Sequence, residues 1–313
     1  ETSTAIYFDI SKLDKYPVLS NLDVENQKAG ARVEVDTEKR NPHDFAVWIK
    51  APENHLMKWD SPWGPSYPGW HIECSVMSQK YLGEVFDIHT GGIDLIPTHH
   101  ENEIAQSKGM CGKIPANYWM HGEFLLINGG KMSKSLGNVY LLQDIVDRGY
   151  DPLVYKLFCY SIQYRKKLNF TWEGMDSAKI ALERLREAYQ KHVNGTEDVA
   201  EELISKYEKD FNEAINDDLN MPVAMSVVWE VAKRTEKSKK LAELLKKFDR
   251  VLGIKIDEHK EEEIPDDIKE LLTKRAEARK NKDWAESDKI RDIIKEKGYI
   301  VKDSKEGQTV EKI

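Results

Sequence analysis

Hydrophobic and polar positions follow two patterns along the chain, and the pattern changes near residue 150. Before that point, short apolar runs at residues 6–8, 44–51 and 85–92 are typical of strands, whereas residues 69–83 have the apolar spacing of a helix that ends at a glycine. Strands that alternate with helices predict an α/β fold. In such folds, ligands bind at the carboxyl ends of the strands.

After residue 150, apolar residues recur at helical spacing over longer stretches. Asp151, Thr171 and Asn220 are typical of helix starts, and Gly253 is typical of a helix end. The pattern predicts helices whose apolar stripes form a core. The predicted core positions are Met175, Ala178, Leu182, Leu185, Ala224, Val227, Val228, Val231, Leu241, Leu244, Leu245, Phe248 and Leu252. An acidic stretch with a proline at residues 257–267 predicts a linker to a small terminal unit.

Composition limits the classes of protein that are compatible with the chain. Its 313 residues are 40% hydrophobic, enough for real cores, and the length alone predicts about two or three domains. A net charge of -8 argues against a uniformly basic nucleic-acid-binding surface, although local basic patches are compatible with it. The odd, widely spaced cysteines Cys74, Cys111 and Cys159 favour a reducing cytoplasm over a disulfide framework. No apolar run approaches ~18 residues, so no membrane span is predicted.

A stretch rich in glycine and lysine, GGKMSKSLGN at residues 129–138, follows an apolar run. Glycines let the backbone approach an anion, and the ammonium groups of Lys131 and Lys134 would bind a phosphate. The stretch is not a Walker loop, because Lys131 is followed by Met132 and Leu125 stands where the first glycine belongs. Taken in isolation, the stretch favours an ordinary solvated turn, and a phosphate-binding loop of another kind is the alternative that the neighbouring residues must decide.

A second polar cluster, HTGGIDLIPTHHENEIAQS, occupies residues 89–107. In a helix that starts just before them, His99 and Glu103 lie four residues apart and share one face, whereas residues 100–102 point elsewhere. Cys74, from the predicted helix at 69–83, would complete a set of thiolate, imidazole and carboxylate ligands that zinc accepts, with an open position. Taken singly, each of these residues is more often a core residue or part of a solvated face.

Gly91, Gly92 and Asp94 lie between the predicted strand and this cluster. The glycines allow close backbone approach to a sugar or phosphate, and the carboxylate would accept hydrogen bonds from ribose hydroxyls. A plain β-turn is the alternative interpretation.

Several stretches of the chain occur together, and in the same order, in one known family. They are residues 30–50, 61–75 (SPWGPSYPGWHIECS), 86–107 (FDIHTGGIDLIPTHHENEIAQS), 117–126 (NYWMHGEFLL) and 131–138 (KMSKSLGN). With them, the chain closely resembles the later part of cysteinyl-tRNA synthetases, which are class I aminoacyl-tRNA synthetases. The resemblance implies a partial class I Rossmann-type catalytic domain, followed by a helical bundle and a small mixed α/β anticodon-binding domain.

The resemblance also implies boundaries for these regions. They are a connective region at 1–45, the second half of the Rossmann-type domain with its zinc site at 46–128, the KMSKS loop and stem-contact region at 129–170, the helical bundle at 171–256, and the linker with the anticodon-binding domain at 257–313.

Roles for single residues follow from the same resemblance. It implies one zinc ion per chain, held by Cys74, His99 and Glu103, with a fourth protein ligand missing from this chain. It assigns the catalytic lysines to Lys131 and Lys134. The implied substrate contacts are Trp70 and His89 for cysteine, and Gly91, Gly92, Asp94 and Lys134 for ATP and the adenylate.

The implied activity is that of a cytoplasmic translation enzyme. It activates cysteine with ATP and Mg²⁺ and then transfers the cysteinyl group to tRNA(Cys). Zinc would select cysteine over serine, because a thiol ionises on a metal far more readily than an alcohol. Packing alone separates such near-isosteres by only about 1 to 3 kcal/mol. No editing domain is then required, and no sequence suggests one.

The terminal stretch at 274–313 resembles the anticodon-binding domain of the family. The residues that fall where the family reads anticodon bases are Arg279, Trp284, Asp288 and Asp303. Their chemistry fits, because an indole stacks on a base, a guanidinium stacks or donates hydrogen bonds, and carboxylates accept from base amino groups. The alternative is a surface helix that Trp284 anchors.

The chain also departs from the family pattern. The N-terminal portion with the ATP motif and the first zinc cysteine has no counterpart in it, and the first residues resemble neither a signal peptide nor a chain start, so we expect a fragment. That missing portion is a possible partner. Two other functions are open: a non-catalytic paralogue or tRNA-binding module, and a ligase that joins cysteine to a small-molecule amine.

Overall fold

The structure is a computed structural model, and it describes residues 1–20, 37–258, 265–304 and 307–312. Residues 30–36 of the family match and residues 259–264 of the predicted linker lie outside the described part of the chain. The chain divides into two compact units, Glu1–Asp257 and Glu258–Ile313.

A three-stranded antiparallel sheet begins the first unit. Its strands are β1 (Ala5–Phe8), β2 (Phe45–Lys50) and β3 (Ser66–Pro68). The central strand is β2, and the strands predicted at residues 6–8 and 44–51 are confirmed. Gly69 follows β3, and a side chain there would place its Cβ 2.3 Å from the carbonyl oxygen of Ala46. Glycine therefore permits the close contact between β2 and the start of the next helix.

A β-α-β unit with parallel strands follows this sheet. Its elements, with the helix before it, are α1 (Trp70–Leu82), β4 (Phe86–Gly92), α2 (Glu101–Cys111) and β5 (Ala116–Gly122). The strands β4 and β5 pair in parallel from Phe86 opposite Ala116 to Gly92 opposite Gly122. The predicted α/β class is confirmed. The helix predicted at residues 69–83 is α1, which ends at the Gly83 cap, and the strand predicted at residues 85–92 is β4.

A second three-stranded sheet and two short helices lead to the bundle. They are β6 (Leu125–Ile127), β7 (Gly130–Lys131), α3 (Leu142–Asp147), α4 (Pro152–Cys159) and β8 (Leu168–Phe170). The middle strand β6 pairs antiparallel with β7 and parallel with β8. The predicted helix start at Asp151 is confirmed, since its carboxylate accepts a hydrogen bond from the Leu153 N–H at 2.9 Å.

Four helices complete the first unit. They are α5 (Trp172–Val193), α6 (Glu201–Asn216), α7 (Met221–Ala232) and α8 (Lys239–Leu252). Every predicted core position is buried, and Met175, Val228 and Leu245 are completely so. The predicted stripes meet in one hydrophobic core, so the helical part of the prediction is confirmed.

The sequence prediction missed α6. Its buried positions Tyr207, Phe211 and Ala214 are four and three residues apart, which is the spacing of a helical stripe. The stripe is short and lies among charged residues, so it gave a weak apolar signal. Phe211 stacks on Phe248 of α8 with ring centroids 4.1 Å apart, which fixes α6 on the bundle.

The second unit is a pair of helices and a hairpin. Its elements are α9 (Asp266–Lys280), α10 (Trp284–Glu296), β9 (Tyr299–Ser304) and β10 (Gly307–Lys312). Ile290, Ile294 and Val301 form its core, so the expected small mixed unit is present. Among the described residues of both units, no helix is long and apolar enough to span a membrane.

Replacing Gly69 with alanine should destabilise the first unit, because the new Cβ would overlap the Ala46 carbonyl oxygen and push α1 away from β2. We expect a loss of about 1 to 3 kcal/mol in the free energy of unfolding, measured by denaturant titration. Gly122→Ala is the control, since its Cβ would have no neighbour within 4 Å. Equal stability of the two variants would contradict the close contact.

Candidate functional site

The three side chains expected to bind zinc converge in the first unit. Cys74 lies on α1, Glu103 lies on α2, and His99 lies in a wide five-residue turn, Ile96–His100, that leads into α2. The Cys74 sulfur, a nitrogen of His99 and a carboxylate oxygen of Glu103 lie within 4.8 Å of one another. The closest pair is His99 Nε2 and Glu103 Oε1, at 2.7 Å.

The chemistry of these donors fits zinc. Glu103 Oε1 is buried beside His99, and burial of a carboxylate is costly unless a hydrogen-bond donor or a cation lies next to it. Burial lowers the pKa of His99, which keeps its imidazole neutral and its lone pair free for a metal. Burial, and then the charge of Glu103, raises the pKa of the Cys74 thiol to about 11. A bound cation would reverse that shift and produce the thiolate ligand.

Two more histidines share the same carboxylate. His89 Nε2 lies 2.9 Å from Glu103 Oε2, and donor atoms of His89, His100 and Glu103 lie within 4.8 Å of one another. The expectation that His100 points away from Glu103 is therefore wrong. His100 belongs to the wide turn before α2 rather than to a regular α-helix, and a Cβ on Gly91 would lie 2.6 Å from its ring. The wide turn and the glycine together let the ring lie beside Glu103.

Sequence reasoning missed the side chains that orient these histidines. His71 Nδ1 lies 2.9 Å from His99 Nδ1, so one of these two nitrogens donates to the other and fixes the direction of His99 Nε2. His121 Nε2 on β5 lies 2.8 Å from His100 Nδ1 in the same way. Burial lowers the pKa of His71 and of His100 to about 4, so both rings are neutral at pH 7. The only sequence signal was His71 three residues before Cys74, on the same side of a helix.

Glu101 and Asn102, the first two residues of α2, point away from Glu103 toward residues 16–19, as expected. The Glu101 carboxylate accepts hydrogen bonds from the N–H groups of Val18 and Leu19, at 2.7 and 2.6 Å. Asn102 accepts a hydrogen bond of 2.7 Å from the Tyr16 hydroxyl. These buried contacts tie the segment after β1 to the start of α2, next to the candidate ligands.

The residues expected to contact cysteine lie beside the candidate ligands. The ring centroid of Trp70 is 4.3 Å from that of His99, and Trp70 is 61% exposed, so one face remains open to a small molecule. The His89 side chain is 16% exposed and contacts both Glu103 and the ring of Trp119. An indole and an imidazole therefore border the same three donors.

The residues expected to contact the adenylate lie at the carboxyl end of β4. Gly91 and Gly92 are the last two residues of that strand, and Asp94 follows in a short turn. A Cβ on Gly92 would lie 2.5 Å from Asp94 Oδ1, so the carboxylate folds back on the glycine. The glycines therefore belong to the strand rather than to a β-turn.

The loop at residues 129–138 exposes both of its lysines. Lys131 ends β7 and Lys134 opens a short turn, and neither forms a salt bridge within the described part of the chain. Met132 packs against the core of the first unit. Asn138 closes the loop, since it accepts from the Ser133 N–H at 2.8 Å and donates to the Lys131 carbonyl at 2.9 Å. Two free ammonium groups are thus presented on an anchored loop.

In the second unit, the four residues expected to contact an anticodon differ in exposure. Trp284 is 58% exposed, which does not favour the alternative in which it anchors a helix. Asp288 is also exposed on α10. The Arg279 guanidinium and the Asp303 carboxylate form an ion pair of 2.8 Å.

Three family models match the chain. The model described as "tRNA synthetases class I (C) catalytic domain" matches residues 1–180. The "DALR domain" model matches residues 210–257, and the "Cysteinyl-tRNA ligase anticodon binding domain" model matches residues 261–310.

Several curated relatives that match most of the chain are named cysteine–tRNA ligases. The cysteine–tRNA ligase 1 of Burkholderia lata is 44% identical over 98% of this chain and 65% of its own length. The cysteine–tRNA ligase of Treponema denticola is 41% identical over 95% of this chain and 67% of its own. That of Bacillus cereus strain B4264 is 42% identical over 98% and 70%.

This chain therefore spans about two thirds of the length of these relatives. The first catalytic-domain model alone covers more than half of it. The chain belongs to the cysteine–tRNA ligase family of class I aminoacyl-tRNA synthetases.

Proposed function

We propose that this chain forms the cysteine-selecting, adenylation-loop and anticodon-binding parts of a cysteine–tRNA ligase. The whole enzyme activates cysteine with ATP and transfers it to tRNA(Cys). The observation that carries the proposal is the convergence of the Cys74 sulfur, the His99 imidazole and the buried Glu103 carboxylate. The family membership of the chain supports the same function.

Cys74, His99 and Glu103 would hold one zinc ion. When bound, the ion would ionise the thiol of substrate cysteine and so favour cysteine over serine. The chain's own residues do the rest. Trp70 covers one side of His99, His71 fixes the direction in which His99 donates its lone pair, and burial keeps both imidazoles neutral.

The loop at residues 129–138 would act in adenylate formation. In that step the cysteine carboxylate attacks the α-phosphate of ATP, and pyrophosphate leaves with its Mg²⁺. Charge develops on the phosphoryl oxygens, and positioned cations stabilise it most in the transition state. Lys134 foremost, with Lys131, is suited to that role because both side chains are exposed and neither pairs with a carboxylate among the residues that the structure describes. Gly91, Gly92 and Asp94 would bind the nucleotide at the end of β4.

The second unit supports tRNA as the acceptor. Its match to an anticodon-binding model argues against an acceptor that is a small-molecule amine. Arg279, Trp284, Asp288 and Asp303 would contact the anticodon. All three cysteines are free, in keeping with the reducing cytoplasm in which translation takes place.

The exposed parallel sheet supports a further partner. Among the described residues, β4 and β5 form a two-stranded sheet, although parallel sheets are normally covered on both faces. Val85, Ile88 and Tyr118 on or beside these strands are 41%, 54% and 68% exposed. The N-terminal portion of the family, with its ATP motif and fourth zinc ligand, would cover this sheet and complete the nucleotide site.

The chain should bind zinc, and either Cys74→Ser or His99→Ala should abolish stoichiometric binding because each removes one of three ligands. Metal content after dialysis, measured by mass spectrometry, gives the result. Cys111→Ser is the matched control, since its sulfur hydrogen-bonds to Ser107 farther along α2. Stoichiometric zinc in both ligand variants would rule out these ligands.

In a form of the protein with the full length of its relatives, Lys134→Ala should slow cysteine-dependent pyrophosphate exchange much more than it weakens cysteine binding. Loss of one positioned charge costs about 2.7 to 4 kcal/mol in the transition state. Lys179→Ala on α5, which also removes an exposed lysine, should leave exchange unchanged. An unchanged exchange rate in the Lys134 variant would contradict the role of the loop, and absence of exchange in the unmodified full-length form would favour a non-catalytic paralogue.

Trp284→Ala should weaken the use of tRNA(Cys) by roughly 1 to 3 kcal/mol, the value of one base-indole stack. Because the indole is largely exposed, the melting temperature should hardly change. Aminoacylation, pyrophosphate exchange and melting should be measured together, with Ile300→Ala as an exposed apolar control in the same unit. Normal charging by the Trp284 variant, or a loss that only follows unfolding, would refute the stacking role.

A further inference from the structure

One carboxylate in the second unit organises three arginines. Asp303 on β9 accepts hydrogen bonds from Arg275 and Arg279 of α9 and from Arg291 of α10. The contact distances are 2.9 and 3.0 Å from Arg275, 2.8 Å from Arg279 and 3.0 Å from Arg291. A single side chain thereby connects both helices of the unit to its hairpin.

Arg275 is the fixed member of this group. It is fully buried, and its two terminal nitrogens grip both oxygens of Asp303. A further hydrogen bond of 2.6 Å runs from Arg275 to the Gln308 side chain, whose amide donates to the Leu272 carbonyl. Planar, two-pronged pairing of this kind restricts direction as well as distance. Arg275, and after it Arg279, holds the pKa of Asp303 well below its usual range.

The other two arginines face outward. The Arg279 and Arg291 side chains are 38% and 45% exposed, so each has N–H donors left for a ligand. Along α10, Trp284, Asp288 and Arg291 are spaced four and three residues apart and therefore lie on one face. Arg291 and Arg279 both donate to the Asp303 carboxylate, so this face of α10 lies next to Arg279.

We propose that Arg275 is the positioning residue of the RNA-binding face of this unit, and that Arg291 is a further contact of that face. Arg275 holds Asp303, and Asp303 holds the two outward guanidinium groups beside the exposed indole. The ligand is the anticodon loop, whose unstacked bases and phosphates take stacking and charged N–H donors at once. This inference rests on the proposed tRNA-binding function.

Affinity of the 313-residue chain for a tRNA(Cys) transcript tests the role of Arg291. Arg291→Gln should weaken binding about tenfold, which is within the range for one arginine contact to a nucleic acid. Lys289→Gln on α10 is the control. Lys289 lies two residues before Arg291, its side chain is 70% exposed, and the change removes the same positive charge. Its effect should be below twofold.

Arg275→Lys keeps the charge but loses the two-pronged grip. It should reduce both affinity and discrimination against a transcript with a substituted anticodon, while the chain remains folded at the assay temperature. In an Asp303→Asn background, the same change should add little, because Arg275 acts through Asp303. A purely structural arginine would lower the melting temperature and leave the discrimination of the folded protein intact.

Two outcomes would overturn the inference alone. One is binding by Arg291→Gln that equals binding by Lys289→Gln, and the other is full anticodon discrimination by Arg275→Lys. If the unmodified chain fails to bind tRNA(Cys), the proposed function of the second unit fails and this inference falls with it.

Discussion

The buried carboxylate of Glu103 is the group on which the site of the first unit depends. It is only 2% exposed, and its two oxygens face His99 and His89 at 2.7 and 2.9 Å. A carboxylate so deeply buried needs hydrogen-bond donors or a cation beside it, since an unpaired charge in the interior costs several kcal/mol. Burial lowers the pKa of His99 and so disfavours its charged imidazolium form as the cation beside Glu103. In the proposed site, a metal ion held by Cys74, His99 and Glu103 would supply that cation.

That requirement explains several features of the surrounding chain. Gly69 lets α1 start directly against β2, which places Cys74 in reach of α2. Gly91 leaves room for the His100 ring beside the same carboxylate. The Glu101 carboxylate, two residues earlier on α2, accepts hydrogen bonds from the N–H groups of Val18 and Leu19 and so holds the helix start in place. The loop with the exposed Lys131 and Lys134 is anchored by Met132 and Asn138.

The longer helices of the first unit other than α6, and the strands β1, β2 and β4, follow from local pattern. The other strands do not, and the site follows only in part. The stripes that contain Met175 and Leu245 were long and strongly periodic, so burial was predictable, whereas α6 has a short stripe among charges. Spacing alone paired His99 with Glu103, because a helix repeats every 3.6 residues. It could not place His100, since a wide turn replaces the first α-helical turn there.

In both units, contacts between segments that are distant along the chain could not be predicted from local sequence patterns. Ligand chemistry and the family resemblance, rather than a local pattern, linked Cys74 to His99 and Glu103, and in the structure the donor atoms of the three lie within 4.8 Å of one another. The pairing of His71 with His99, and the grip of buried Arg275 on Asp303, join residues 28 positions apart that no local pattern links. Resemblance to the family supplied the expected roles of Arg279 and Asp303, but it did not point to Arg275 or Arg291, which contact Asp303.

The local environment of zinc in the loaded chain tests the central claim most directly. X-ray absorption at the zinc edge should show one sulfur at about 2.3 Å together with nitrogen and oxygen ligands near 2.0 to 2.1 Å. Addition of cysteine should raise the sulfur count to two, because the substrate thiolate takes the open position. A shell of nitrogen and oxygen alone, or a sulfur count that cysteine leaves unchanged, would contradict the account.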